Sequence, residues 1–303
     1  MPDRRDPFAD LRRPVAPLAA RPEFAASLRR RLQEELGMTT PATSAVTDVT
    51  AGPGAGTAEP RIAGHGDLVM VHLRVGEADR AARFFGELFG WEAERYELDG
   101  HVSWYTLNTS TTVRLLDDPG VPPVVPNYAV SDVAAAVRAV EDAGGRVALA
   151  EPAPDGGGWA RGDDDQGVPW LVYRPGGHDH GPGPTRPATG EVGLVFLRAD
   201  VPRAERFYGP VLGWRFHRDH PDSHYFDTVP LVGVFDEAAA FGHEVTPSAT
   251  LYLSVEALAP VLRRIDELGG RAGEAALDMG PYFSAVCTDD QGTRFGLISA
   301  RAE

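Results

Sequence analysis

Apolar and polar positions along this chain follow a pattern that runs through twice. An apolar run of strand length, Leu68 to Val75, precedes a segment with apolar residues at helical spacing through Arg83-Phe84-Phe85, and Val192 to Ala199 precedes Arg206-Phe207-Tyr208 in the same way. Three short stretches of alternating character come next and read as strands. A further strand (Val124 to Val130; Ala249 to Val255) leads into a second helix (Asp132 to Ala143; Ala257 to Leu268). That helix stops at a Gly-Gly pair and is followed by three more strands. The pattern predicts an α+β protein of four βαβββ units, two in each half. One such unit leaves a sheet face bare, so units must pair to close a core, and pairing leaves a concave sheet surface between them.

Identical wording supports the repeat. Arg83-Phe84-Phe85-Gly86-Glu87-Leu88-Phe89-Gly90-Trp91 is echoed by Arg206-Phe207-Tyr208-Gly209-Pro210-Val211-Leu212-Gly213-Trp214, Gly144-Gly145-Arg146 by Gly269-Gly270-Arg271, and Asp164-Asp165-Gln166-Gly167 by Asp289-Asp290-Gln291-Gly292. The offsets are 123, 125 and 125 residues, an agreement in order and spacing that chance does not easily give. Residues 64–175 and 191–303 are therefore expected to be two modules, joined by a Gly/Pro-rich linker over 176–190. Residues 1–63 fall outside the repeat. Phe24, Leu28, Leu32 and Leu36 mark one short amphipathic helix before Gly37, and a tether of small, polar and helix-breaking residues follows. The helix either packs on its own protein or docks a protein partner.

Composition narrows the function. With 303 residues, 43% of them hydrophobic, the chain can bury a sizeable core. Its 29 basic and 44 acidic residues leave a net charge of −15, which argues against binding nucleic acid and favours a neutral or cationic small organic ligand. No lysine occurs, so every basic side chain is arginine. A single cysteine, Cys287, excludes intramolecular disulfides and cysteine-rich zinc sites and suits a reducing compartment. The N-terminus lacks the apolar core of a secretion signal, and no window approaches the ~18 apolar residues of a membrane span, so a cytoplasmic protein with no membrane contact is expected.

The order of elements, the RxxRFFGELFGW strand–helix wording, the helix ending in AGGRV and the DDQG turn before a last strand resemble the vicinal oxygen chelate superfamily. That is the glyoxalase, bleomycin-resistance and extradiol-dioxygenase group, and the likeness runs from about Gly64 to Ala300. Narrower features, the tandem arrangement and TRFGLI, look like two-module bacterial members labelled glyoxalase-like or bleomycin-resistance-like. The resemblance implies paired βαβββ modules around a ligand cavity. It also implies metal ligands on the first strand, on the strand before the second helix and on the last strand. Counted onto this chain, those positions are Met70, Val125 and Leu171 in one half and Gly193, Thr250 and Gly296 in the other. None offers an imidazole or carboxylate, so no metal and no cofactor is expected.

The expectation is a metal-free small-molecule binding protein, sequestering a drug-like or natural-product compound. The alternative is a glyoxalase-like lyase or isomerase, or a dioxygenase-like enzyme, with a non-standard site around His72. His72 shares a strand face with Met70 and is either an acid or base in the cavity or an imidazole satisfied within the sheet. Asn127 and Tyr252 lie two positions beyond Val125 and Thr250, and Arg294 two before Gly296, so all three are placed on the cavity side. One of Trp104 and Tyr105, and one of Tyr225 and Phe226, must face inward; Trp104 and Tyr225 are taken as ligand-binding, against ordinary core packing. No catalytic residue stands out.

Overall fold

The computed structural model describes residues 63–98, 100–175, 188–220, 223–225, 231–236, 246–273, 277–278 and 282–300. The helix expected over residues 24–36, the tether and most of the inter-module linker lie outside the described residues.

The first half runs β1 (Leu68–Arg74), α1 (Ala78–Phe89), β2 (Ala93–Leu98), β3 (His101–Thr106), β4 (Thr112–Leu116), β5 (Val124–Ala129), α2 (Val133–Asp142), β6 (Arg146–Pro152), β7 (Gly158–Asp163) and β8 (Pro169–Tyr173). The second half runs β9 (Val192–Arg198), α3 (Val201–Leu212), β10 (His217–His220), β11 (Ser223–Tyr225), β12 (Leu231–Phe235), β13 (Ser248–Ser254), α4 (Leu258–Glu267), β14 (Leu277–Asp278), β15 (Tyr282–Thr288) and β16 (Arg294–Ala300). Each half forms one eight-stranded sheet, ordered β2-β3-β4-β1-β5-β8-β7-β6 and β10-β11-β12-β9-β13-β16-β15-β14. In each, the first strand of one βαβββ unit pairs antiparallel with the first strand of the next. The expected α+β class is what the chain adopts.

Strand alternation divides each sheet into two faces. Val71, Leu73 and Val75 of the first strand segment join Val113, Leu115, Val124, Tyr128, Trp170 and Val172 in a core with the helices. Val125, Leu116 and Leu171 pack in a separate cluster on the other face. The helix-side residues of both sheets and the buried residues of all four helices form one continuous core. Phe85 of α1 meets Phe295 of β16 edge-on with ring centroids 5.2 Å apart, and Trp214 after α3 meets Tyr128 of β5 at 5.0 Å. The helices are thus packed between the sheets, and each sheet turns its other face away from them.

The repeated wording builds this junction. Asp164 Oδ1 accepts from the N–H groups of Gln166 and Val168, and Asp289 Oδ1 from those of Gln291 and Thr293, which shapes both DDQG turns. The turns present Gln166 and Gln291 to the opposite module. The Gln166 amide accepts from Asp200 N–H at 2.7 Å and donates to Asp200 C=O at 3.1 Å. Gln291 does the same with Glu77 at the same two distances. Asp200 and Glu77 are the residues that begin α3 and α1. Arg203–Asp165 and Arg80–Asp290 ion pairs flank these clamps, exposed enough to add little.

Trp214 donates its indole N–H to Gly66 C=O at 2.8 Å, and Trp91 donates to Gly190 C=O at 3.0 Å, so both tryptophans tie a helix end to the chain entering the other sheet. Gly66 has φ +87°, and a Cβ there would lie 2.2 Å from the Leu212 carbonyl oxygen; Gly90, at φ +71°, has open space around it. Replacing Gly90 by alanine is expected to cost ~1 kcal/mol of backbone strain alone, whereas Gly66→Ala should cost ~3 kcal/mol because the backbone must also move. Urea denaturation of the two variants checks this, and equal losses would show that the junction tolerates displacement at Gly66.

Candidate functional site

The face of the first sheet turned away from the helices carries two rows of side chains, set by strand register. One row reads Tyr105 (β3), Arg114 (β4), His72 (β1) and Val125 (β5). The other reads Thr112 (β4), Met70 (β1), Asn127 (β5), Leu171 (β8) and Arg161 (β7). His72 and Asn127 are the buried floor, at 7% and 1% exposure, while Met70, Arg114, Tyr105 and Leu171 are half-buried and Arg161 is exposed. Leu116, Val121, Val125 and Leu171 pack into an apolar wall at one side.

Arg114 is held rather than free. Its Nη2 donates to Ser103 Oγ at 3.2 Å, and its guanidinium carbon lies 5.0 Å from the centre of the Tyr105 ring. Its Nε, however, is buried without an acceptor, and Asn127 Oδ1 is buried without a donor. His72 has its pKa lowered from 6.5 to about 3, first by burial and then by the positive charges of Arg114 and Arg161. The imidazole is neutral at physiological pH and can accept or donate a hydrogen bond without bringing charge.

Met70, Val125 and Leu171 do come together on this face: Met70 and Leu171 flank Asn127 in register, and Val125 sits two residues before it, opposite His72. A divalent cation needs nitrogen or oxygen donors, and a thioether with two aliphatic side chains does not supply them. Among the described residues no group of three His, Cys, Asp or Glu side chains is placed to hold a metal ion. The metal that the family resemblance implies does not fit these residues.

On the second sheet the corresponding rows are Gly233–Phe196–Thr250 and Leu194–Tyr252–Gly296–Val286. The first-strand position there is Leu194, not the Gly193 obtained by counting back from the helix. The cause is a connection between strand and helix that is one residue shorter, Ala199-Asp200 where the first half has Val75-Gly76-Glu77. Tyr252 lies across Gly296, its ring carbons within 2.2–2.6 Å of where a Cβ would stand, and meets the Phe196 ring edge-on at 5.8 Å. This face carries Phe196 and Tyr252 at the positions that His72 and Asn127 hold on the first.

His72 and Asn127 are therefore brought together on one face, and Tyr252 and Arg294 lie on the other sheet, Arg294 exposed at the start of β16. Trp104 is corrected. It points to the helix side, packing against the core and donating to Asp79 Oδ1 of α1 at 2.8 Å, so Tyr105 takes the inward position. The Tyr225 side chain lies outside the described residues. Sequence reasoning missed Arg114 and Arg161. The available signal was parity, since each follows a core residue (Val113, Ala160) and so must face away from the helices. Cys287 is buried, with burial pushing its thiol pKa up, as suits an inert residue.

Residues 67–172 match the Glyoxalase/Bleomycin resistance protein/Dioxygenase superfamily. The matched residues run from the start of β1 into β8, that is, the first sheet with its two helices. No curated protein matches the chain. Among solved structures it resembles homoprotocatechuate 2,3-dioxygenase from Brevibacterium fuscum (TM-score 0.55, 14% identity, covering 82% of this chain and 84% of that one). It also resembles the 2,3-dioxygenase LapB from Pseudomonas sp. KL28 (TM-score 0.51, 14% identity, 80% and 94%). Likeness at that identity is a likeness of fold. Among the described residues no helix is long and apolar enough to cross a membrane.

The depressed His72 pKa has a measurable consequence. Because the folded state refuses a proton that the unfolded state takes up, this group's contribution is complete above pH 6.5 and is lost as pH falls toward about 3, on the order of 5 kcal/mol in all. Buried Asp164 and Asp289 and half-buried Glu191 have raised pKa values, so their contributions run the opposite way. The difference between wild type and His72→Gln isolates the histidine: urea denaturation at stepped pH should show a steeper acid loss in the wild type. Parallel curves would mean that His72 is not held neutral.

Proposed function

We propose that this protein binds a small organic molecule on the face of its first sheet turned away from the four described helices, without a metal ion, and that it acts by sequestering a drug-like or natural-product compound. One observation carries the reading: the three positions where relatives are expected to hold a cation meet on that face as Met70, Val125 and Leu171, beside a buried polar floor of His72 and Asn127. Two buried polar atoms on that face, Arg114 Nε and Asn127 Oδ1, have unmade hydrogen bonds, each at a cost that a partner would remove. A bound molecule gives them partners. The second sheet, filled by Tyr252 and Phe196, serves in this reading to complete the core and not as a second site.

A second reading has its own support. A neutral imidazole at physiological pH, near two guanidiniums that stabilise negative charge, can donate a hydrogen bond to a substrate oxygen that gains charge during reaction. In that enzyme, of lyase, isomerase or dioxygenase-like class, His72→Ala abolishes turnover while leaving the fold intact.

Native mass spectrometry of protein purified from its host separates these outcomes. Sequestration predicts one organic adduct per chain that survives desalting, with no metal mass. Stoichiometric zinc, iron, manganese or nickel whose loss releases the adduct would overturn the metal-free reading.

A further inference from the structure

We infer that the face of the first sheet turned away from the described helices selects an organic anion with an apolar body and a hydroxyl or amino donor at its far end. The inference rests on the reading of that face as a ligand site and adds the chemistry of what enters it.

Three observations converge. Arg114 Nε is buried and has no acceptor, on a guanidinium already fixed by Ser103 and the Tyr105 ring. The neighbouring rows hold a second arginine, Arg161, and no carboxylate: the charges that act on His72 are both positive. A buried guanidinium edge that lacks an acceptor carries an unmet cost of roughly 1–3 kcal/mol, more for a charged group, which a carboxylate or phenolate oxygen removes. Across β1 from Arg114, beyond His72 and diagonally along β5, Asn127 presents an amide oxygen that is 1% exposed and has no donor. A carbonyl oxygen there asks for an O–H or N–H. Between the two ends lies the neutral His72 ring, with the apolar wall of Leu116, Val121, Val125 and Leu171 along one side.

A ligand that satisfies both ends therefore spans β1, with its charge at Arg114, its donor at Asn127 and its apolar middle against that wall. Arg161, exposed at the rim, adds attraction at longer range that salt screens. Arg114 and Asn127 are binding residues in this arrangement, and His72 positions the middle of the ligand by hydrogen bonding without charge.

Calorimetry on the full chain with 4-hydroxybenzoate, benzoate, phenol and benzamidine tests the assignment. The expected order is 4-hydroxybenzoate tightest at one site per chain, benzoate weaker by roughly fivefold, and phenol and benzamidine weaker by at least about tenfold. Arg114→Met should cost carboxylate binding roughly tenfold or more while leaving phenol unchanged, and Asn127→Leu should erase the advantage of 4-hydroxybenzoate over benzoate. Arg161→Gln, an exposed substitution that does not endanger folding, should weaken both carboxylates several-fold and lower their salt dependence. Phenol or benzamidine binding as tightly as 4-hydroxybenzoate, or carboxylate affinity indifferent to both arginine substitutions, would overturn the anion assignment and leave small-molecule binding standing. No saturable binding of either carboxylate also overturns the assignment. A chain that neither carries nor takes up any organic molecule sinks the reading beneath it.

Discussion

Two eight-stranded sheets in one chain present four faces, and the helices that can cover them number four among the described residues, all on one side of their own sheets. The rest of the structure depends on how that shortage is met. Each βαβββ unit contributes one helix, the four are packed between the sheets, and one helix layer serves two inner faces. Burying Phe85, Phe207, Tyr208 and Phe295 there stabilises the fold by roughly 2 kcal/mol per ring. The consequence is that, among the described residues, both outer faces are left without helices. Whatever covers or fills them decides what each module does.

Reciprocal polar contacts determine how the two layers meet. Gln166 and Gln291 each pair with both the N–H and the C=O of the residue that opens a helix in the opposite module, which leaves little freedom to slide. Side-chain amides suit this task because one group donates and accepts in a single plane. The symmetry is not complete. Tyr208 donates to Asp164 Oδ2 at 3.2 Å, but Phe85 stands at the matching place in the first half, and Asp289 Oδ2 is left buried without a donor. Divergence between the halves therefore reaches into the junction, where one missing hydroxyl has left a polar group unsatisfied, and it is larger still on the outer faces.

Much of the architecture was legible in the sequence because the junction and the turns use the same short phrases twice. RFFGELFGW and DDQG mark a helix end and the turn that clamps the other module's helix, so their spacing carried the topology. The candidate site was legible only in part. His72 and Asn127 followed from parity on strands whose core-facing residues were clear. Trp104 did not, because two adjacent aromatics on β3 satisfy either face, and only the packing of Trp104 on α1 with its bond to Asp79 breaks the tie. Counting gave Gly193 for Leu194 because a loop one residue shorter shifts a strand against its helix without leaving a mark in composition. Arg114 and Arg161 were overlooked because they belong to no repeated phrase: their counterparts in the second half are Gly233 and Val286.

The overall charge of −15 and the local charge of the first sheet point in opposite directions, and the local one governs the site. Screening limits the reach of exposed charge to about 8 Å at physiological ionic strength, so carboxylates elsewhere on the surface act weakly on a buried floor. Burial also strengthens whatever charge stands beside it. Strand register sets Arg114 beside His72 and Arg161 in the neighbouring row, and after burial itself these are the groups that lower the His72 pKa. A neutral or cationic ligand, suggested by the net charge, would leave Arg114 Nε without an acceptor and bring nothing to offset two positive groups. At the positions where the resemblance implies metal ligands this chain carries aliphatic and thioether side chains, and the positive charge on this face comes from arginines on β4 and β7. A guanidinium attracts an anionic oxygen by charge and hydrogen bonding, but it does not draw oxygens into a coordination shell. In the proposed reading the site keeps a positive sign without the chemistry of an open metal position.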